Sequence, residues 1–241
     1  MSCRGLFIAG TDTGVGKTQV ACLIVRALRA AQFRVGAYKP VCSGAQSLPG
    51  RPPLWEDLSR LEAALGAPTE LDRLCRQRFL APLAPPLAAR LEQTAVDVQA
   101  VDSGLIDWLD HAEVMIVEGA GGWLCPLTEY QTLADWVARW RFPVLVVARR
   151  TLGTINHTLL TIESIRRRGL QVVGVVLNQT DPGEDDLSVS TNCAEIEARS
   201  GAPVLGEVMF GATDELRREG QAVTMHWQSM MGRLTAPIRP G

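Results

Sequence analysis

The sequence predicts an α/β fold, a doubly wound and mainly parallel sheet. Three observations predict it. Six short apolar runs recur along the 241 residues, each nearly unbroken, as in strands buried on both faces of a parallel sheet. Segments with an apolar stripe at helical spacing lie between them. Strand and helix alternate throughout, and the right-handed crossovers this favours wind a parallel sheet. In such sheets the working residues collect at the carboxyl ends of strands.

The elements follow in order. The first strand is expected over Leu6–Ala9. It is followed by a helix with Val20, Leu23, Ile24, Ala27 and Leu28 on one face. The second strand is Val35–Tyr38. Ser47–Pro53 and Ala81–Pro86 are rich in proline or glycine and read as loops. Val114–Val117 is the third strand, Thr132–Arg141 a helix and Val144–Ala148 the fourth strand. A helix from about Asn156 to Arg168 stops at Gly169. Val172–Leu177 and Val204–Val208 complete the strands. Neither loop is long enough for a linker and no repeat is evident, so one domain is expected over 1–241.

Composition narrows the class. An apolar content of 46% with 21% charged residues suits a globular chain. A net charge of −2 offers no basic surplus for nucleic acid or anionic lipid. No run approaches the roughly 18 apolar residues of a membrane span. Met1-Ser2-Cys3-Arg4 shows no signal-peptide architecture. Cys3, Cys22, Cys42, Cys75, Cys125 and Cys193 are scattered without C-x-x-C spacing and read as reduced thiols. A cytoplasmic protein with no nucleic-acid or membrane partner is expected.

The chemistry begins after the first strand, at Gly10-Thr11-Asp12-Thr13-Gly14-Val15-Gly16-Lys17-Thr18-Gln19. Glycines let backbone amides turn inward around phosphate oxygens, and the helix that follows adds the positive end of its dipole. Lys17 is placed to bridge the outer phosphates of a nucleoside triphosphate, and Thr18 to ligate Mg²⁺. Gln19 opens the helix beside them. This is a P-loop of the nucleoside-triphosphatase type with one departure: the first glycine stands at 10, one residue early. Asp12 occupies the place where ATPases of the partition-switch kind carry a second lysine.

Other strand ends carry polar groups. Glu118 follows Val114–Val117 directly and precedes Gly119-Ala120-Gly121-Gly122, where an acid organising Mg²⁺ is needed; an ordinary strand-terminating surface acid is equally compatible. Lys39 and Ser43 follow the second strand, and Pro40 and Gly44 read as a tight turn that aims them. Without that turn, Lys39 would read as a solvated lysine. Arg149–Asn156 leaves the fourth strand and opens a helix, whose start suits an anion or simple capping by Thr154 or Asn156. Asn178 ends the fifth strand and suits either a base edge or a turn. His111, His157 and His226 lack metal-ligand spacing, and Arg166–Arg168 complement a helix dipole.

In combination, GTDTGVGKT, YKPVCSG, VEGAGGWLCPL, TLADW, LGTINH and VVLN resemble the dethiobiotin synthetase family over roughly residues 5–180. The resemblance implies an ATP- and Mg²⁺-dependent cyclo-ligase of biotin synthesis. Such an enzyme joins CO₂ to 7,8-diaminopelargonate as a carbamate, phosphorylates it and closes a cyclic urea, giving dethiobiotin, ADP and phosphate. By the same resemblance, Lys17, Lys39, Thr13 and Ser43 serve catalysis, and Thr18, Asp57 and Glu118 hold Mg²⁺. Gly14, Val15, Gly16, Lys17, Thr18, Gln19, Gly119, Ala120, Gly121 and Asn178 meet the nucleotide, Asn178 reading adenine. Ser43 and the amides of Gly153, Thr154 and Ile155 meet the substrate, the latter offered by the second subunit of a homodimer. Glu56 stands beside Asp57 as a rival acid, residues 45–112 match weakly, and Met209 replaces a family proline. A corrinoid amide ligase would need a second domain, and a switch ATPase the missing P-loop lysine and a basic amphipathic tail, which Gln228–Arg239 does not supply.

Overall fold

The computed structural model describes residues 3–47, 49–183, 187–218 and 220–223. The chain runs β1 (Arg4–Gly10), α1 (Lys17–Ala30), β2 (Val35–Tyr38), β3 (Val41–Ser43), α2 (Glu56–Leu65) and α3 (Leu71–Leu74). Next come β4 (Gln77–Phe79), α4 (Pro85–Leu91), α5 (Val98–Leu109), β5 (Val114–Glu118), α6 (Leu133–Trp140) and β6 (Val144–Arg149). The remainder is α7 (Thr154–Arg167), β7 (Val172–Asn178), α8 (Val189–Ser200), β8 (Val204–Val208), β9 (Leu216–Arg218) and β10 (Gln221–Val223).

The main sheet has the order β10-β9-β8-β7-β6-β1-β5-β2. Pairing is parallel from β8 through to β2 and antiparallel where β9 and β10 extend the edge. β1 pairs with β5 from Arg4↔Val114 to Ile8↔Glu118, and with β6 from Phe7↔Val144 to Gly10↔Val147. From β1 the chain goes first to the edge strand β2 and returns to β5 beside β1, then crosses to β6 and works outward through β7 and β8. β1 is therefore the topological switch point, and a crevice opens at its carboxyl end. This is the doubly wound, mainly parallel sheet expected. The six expected strands are all present, four of them one or two residues longer at their ends.

Local chemistry explains several helix boundaries. Thr132 and Asp135 form a reciprocal capping box at the start of α6. Asp97 caps α5 by accepting the amides of Gln99 and Ala100. In the core, Phe7 packs edge-on to Trp123 with centroids 6.2 Å apart, and Trp136, Trp140 and Phe142 stack beside it. The indoles of Trp136 and Trp140 both donate to Asp102 Oδ1, at 2.7 and 3.0 Å, so each buried N–H is satisfied.

Four expectations are corrected. Ala81–Pro86 is not all loop: Pro85 and Pro86 form the first turn of α4, where missing amides cost nothing. Pro40–Gly44 is not a tight turn, because Val41–Ser43 pairs in parallel with Gln77–Phe79 as a separate small sheet. The helix expected from about Asn156 begins at Thr154. Neither Thr154 nor Asn156 caps it; Gly153 does, at φ 88°, a conformation that suits a residue without a side chain. His226 and Gln228–Arg239 lie outside the described residues.

Candidate active site

β1 ends at Gly10, and the loop returns over the strand end into α1. Lys17 folds back so that its ammonium donates to the Asp12 carbonyl at 3.1 Å. A Cβ at Gly10 would stand 2.8 Å from the Asp12 carbonyl oxygen and 2.9 Å from that ammonium, so the return of the loop over the strand end calls for glycine at 10. Gly16 caps α1 at φ 92°. A Cβ there would fall 2.0 Å from Asn178 Nδ2, so the loop and the end of β7 fit only with glycine. Asn178 is buried and donates to the Val15 carbonyl at 3.1 Å, while its Oδ1 is buried without a partner among the described residues. The donor of this amide thus serves the loop itself.

Three elements deliver the acids and the second lysine. Lys39 is anchored by its amide, which donates to the Leu74 carbonyl at 2.8 Å, and by Tyr38, whose hydroxyl donates to Val101 O at 2.8 Å. Asp57 lies in the first turn of α2, positioned by Trp55, whose indole donates to Phe79 O at 3.0 Å. Glu118 closes β5 level with Ile8.

These groups converge. Lys39 Nζ lies 2.6 Å from Asp57 Oδ2 and 2.6 Å from Glu118 Oε1. The Thr18 hydroxyl lies 2.8 Å from Asp57 Oδ1 and 2.7 Å from Glu118 Oε1. Lys39 is 3% exposed and Glu118 1% exposed, so neither the solvated lysine nor the surface acid describes them. Glu56 instead faces solvent and accepts from Gln46, which leaves Asp57 as the acid of the cluster.

Burial and charge set the protonation. Burial pulls the Lys39 ammonium down, but Glu118 and Asp57 outweigh it and hold it well above the ordinary lysine value. Burial pulls Asp57 up, and Lys39 with the Thr18 hydrogen bond brings it below the usual carboxylate range. Burial dominates at Glu118 and raises it despite Lys39. Lys17 is lowered to about 8, chiefly by burial, with Glu118 pulling it back and Lys39 pushing it further down.

A cleft of about 320 Å³ opens over the cluster. Among the expected residues, Thr13, Gly14, Gly16, Lys17, Thr18, Gln19, Lys39, Ser43, Asp57, Glu118, Ala120 and Gly121 line it. Val15 is buried beneath the loop, and Gly119 is packed against Phe7 and Leu133. Ser43 donates to Leu83 O at 2.7 Å. Gly153, Thr154 and Ile155 of this chain do not line the cleft. Two cations stand beside the cleft, Arg60, which escaped the sequence reading, and Arg149, which it placed only at the start of the segment leaving the fourth strand. Arg60, one helical turn after Asp57, lines it and donates to Gln19 Oε1. Arg149 donates to Thr13 O at 3.0 Å. The i, i+3 spacing from Asp57 is the signal that could have found Arg60.

The donor set of one hydroxyl and two carboxylates is the hard-oxygen chemistry that Mg²⁺ prefers. Glu118 Oε2 is buried with no partner among the described residues, which leaves a ligating oxygen to spare. Among those residues no three of His, Cys, Asp and Glu gather as a metal site, so the fit is to an ion that shares its shell with phosphate and water.

A strand, an amide-lined loop ending in Gly-Lys-Thr, and an acid on the neighbouring strand define a P-loop nucleotide-binding α/β protein. A family model described as an AAA domain matches residues 4–211. The chain is 52% identical over 194 residues to the ATP-dependent dethiobiotin synthetase BioD of Anaeromyxobacter dehalogenans (strain 2CP-1), covering 80% of this chain and 84% of that one. It is 33% identical to the synthetase of the same name from Aliivibrio fischeri (strain MJ11), covering 93% and 97%. With that of Bacillus thuringiensis (strain Al Hakam) the identity is 38%, covering 89% and 87%. The chain belongs to the dethiobiotin synthetase family, and it is a ligase of the cyclo-ligase kind.

Solved structures extend the fold further. The chain resembles the signal recognition particle 54 kDa protein of Aeropyrum pernix K1, crystallised with GDP, at TM-score 0.53 and 17% identity, covering 97% of this chain but 46% of that one. Chloroplast FtsY from Physcomitrella patens gives 0.51 at 16%, with 98% and 66% covered. Both likenesses concern the fold alone. Among the described residues no helix is long and apolar enough to cross a membrane.

Proposed function

We propose that the chain makes dethiobiotin from 7,8-diaminopelargonate, CO₂ and ATP, as its relatives' name implies. One amine of the substrate adds to CO₂ and loses a proton, giving a carbamate. A carbamate oxygen attacks the γ-phosphorus and ADP leaves, which gives a carbamic–phosphoric anhydride. The second amine attacks the carbonyl carbon, loses a proton and expels phosphate as the ring closes.

Nothing in this sequence needs a protein nucleophile. It needs a dry site that holds anions in line and balances their charge. Lys17 and Lys39 compensate the transferring phosphoryl group and the carbamate, and Thr13 and Ser43 hydrogen-bond beside them. Gly14–Gln19 cradle the phosphates, Gly119, Ala120 and Gly121 meet the nucleotide, and Asn178 reads adenine. Thr18, Asp57 and Glu118 would hold Mg²⁺, which neutralises phosphate charge when bound. Substrate carboxylate capture by amides at Gly153–Ile155 requires a second copy of the chain, so the working unit is a homodimer. A cytoplasmic enzyme of one domain over 1–241, without nucleic-acid or membrane partners, completes the proposal.

The observation that carries it is the buried ammonium of Lys39, held among Thr18, Asp57 and Glu118 at the mouth of the P-loop. The test is ADP and phosphate release from Mg·ATP and bicarbonate, with and without the diamine. Release that requires both, with a cyclic urea detected by mass spectrometry, is expected. Turnover indifferent to the diamine would overturn the reading.

A further inference from the structure

Lys39 has two stations to serve, and the structure shows it at the one its chemistry does not need. Its ammonium touches Asp57 and Glu118 at 2.6 Å each, and the Thr18 hydroxyl touches the same two carboxylates. The ammonium therefore bridges the two carboxylates of the oxygen set that fits a divalent ion, and it shares Glu118 Oε1 with the Thr18 hydroxyl. An ion drawing on both carboxylates competes with the ammonium for them.

We propose that Lys39 is the resident cation of this metal pocket, exchanged for the divalent ion only when nucleotide arrives with it. This rests on Thr18, Asp57 and Glu118 being the metal ligands. The exchange releases the ammonium toward the nucleotide's terminal phosphate and the carbamate, where catalysis needs it. The carboxylates stay aimed and compensated in the meantime.

The order follows from charge. Lys39 is 3% exposed, so an ammonium displaced by the ion alone would stand beside a divalent charge with no anion to receive it. The terminal phosphate of the nucleotide supplies that anion. Metal alone should therefore bind poorly, and metal with nucleotide well. Loading of the ion and arming of Lys39 become one event.

The test uses Mn²⁺ alone, with no nucleotide, the free ion counted by electron paramagnetic resonance. Wild type is expected to bind weakly. Lys39→Met leaves the two carboxylates without their cation and is expected to bind Mn²⁺ about tenfold more tightly or better. Lys39→Met combined with Asp57→Asn is expected to lose that gain. Unchanged or weaker affinity in Lys39→Met overturns the proposal, and so does a gain that survives Asp57→Asn, because the ion then sits elsewhere.

If Lys39→Met does not fold, ¹⁵N-labelled lysine in the wild type decides the matter. The ammonium signal of Lys39 is expected to move on adding Mg²⁺ with a non-hydrolysable ATP analogue, and to stay with Mg²⁺ alone. A signal that ignores the analogue, or moves equally with Mg²⁺ alone, overturns the exchange. Neither measurement uses the diamine. Failed turnover with the diamine would undo the synthetase reading and leave these results standing, while an unchanged Mn²⁺ affinity would do the reverse.

Discussion

Lys39 shows how far a single residue's meaning depends on what surrounds it. Beside a strand end it reads as a solvated lysine, yet Leu74, Asp57 and Glu118 come from distant segments to enclose it. The P-loop was legible because its residues are consecutive. Arg60 was not, because its i, i+3 spacing from Asp57 carries meaning only once Asp57 is known to face the cleft. Under the proposed mechanism Lys39→Ala should lower kcat by roughly a hundredfold or more, measured by steady-state phosphate release. Unchanged kcat would remove Lys39 from the chemistry. Arg60→Met should raise KM for ATP several-fold while melting stays near wild type, and an unaltered KM would leave Arg60 with Gln19 only. Lys17 carries a pH consequence. Its pKa is lowered from 10.5 to about 8, so between those values it is neutral in the empty protein and charged in the unfolded chain. The unfolded state binds more protons there, and this residue's contribution to stability rises with pH across that window. Phosphates restore the charge, so nucleotide binding near pH 9 should take up a proton and weaken as pH rises. Calorimetry in buffers of different ionisation enthalpy reads this directly, and a heat independent of buffer would contradict it.

At the scale of elements, β1, β2, β5, β6, β7 and β8 were legible because strands covered on both faces must be apolar along their whole length. Residues 45–112 were not. They hold a four-residue helix, a three-residue strand whose partner Val41–Ser43 lies far earlier in the chain, and a helix opening on two prolines. None of these repeats long enough to show a period. Their positions come from tertiary bonds such as Trp55 to Phe79 and Tyr38 to Val101. The TLADW stretch behaves differently, since its capping box is written within four consecutive positions, Thr132 to Asp135. Thr132→Ala should cost about 1 kcal/mol by urea denaturation, through loss of one reciprocal cap. Asp102→Ala removes the acceptor of two indoles and of Arg139, and should cost about 2 kcal/mol or more. A loss no greater than that of Thr132→Ala would mean the indoles find other partners.

For the molecule as a whole, the fold class followed from alternation alone, whereas the strand order came only with the structure. That order has a consequence for synthesis. β1 finds partners only in β5 and β6, beginning with Arg4 opposite Val114 and Phe7 opposite Val144. β2, made next, pairs with β5 and not with β1. No strand of the main sheet can therefore join another until residue 114 has been made. At about 5–20 residues per second, the strand that leads into the phosphate loop waits on the order of ten seconds beside a growing chain, apolar and unpaired. What a ribosome presents for that interval is a long nascent thread whose first-made strand ends up inside the finished sheet, and chaperones that bind apolar segments have that long to reach it.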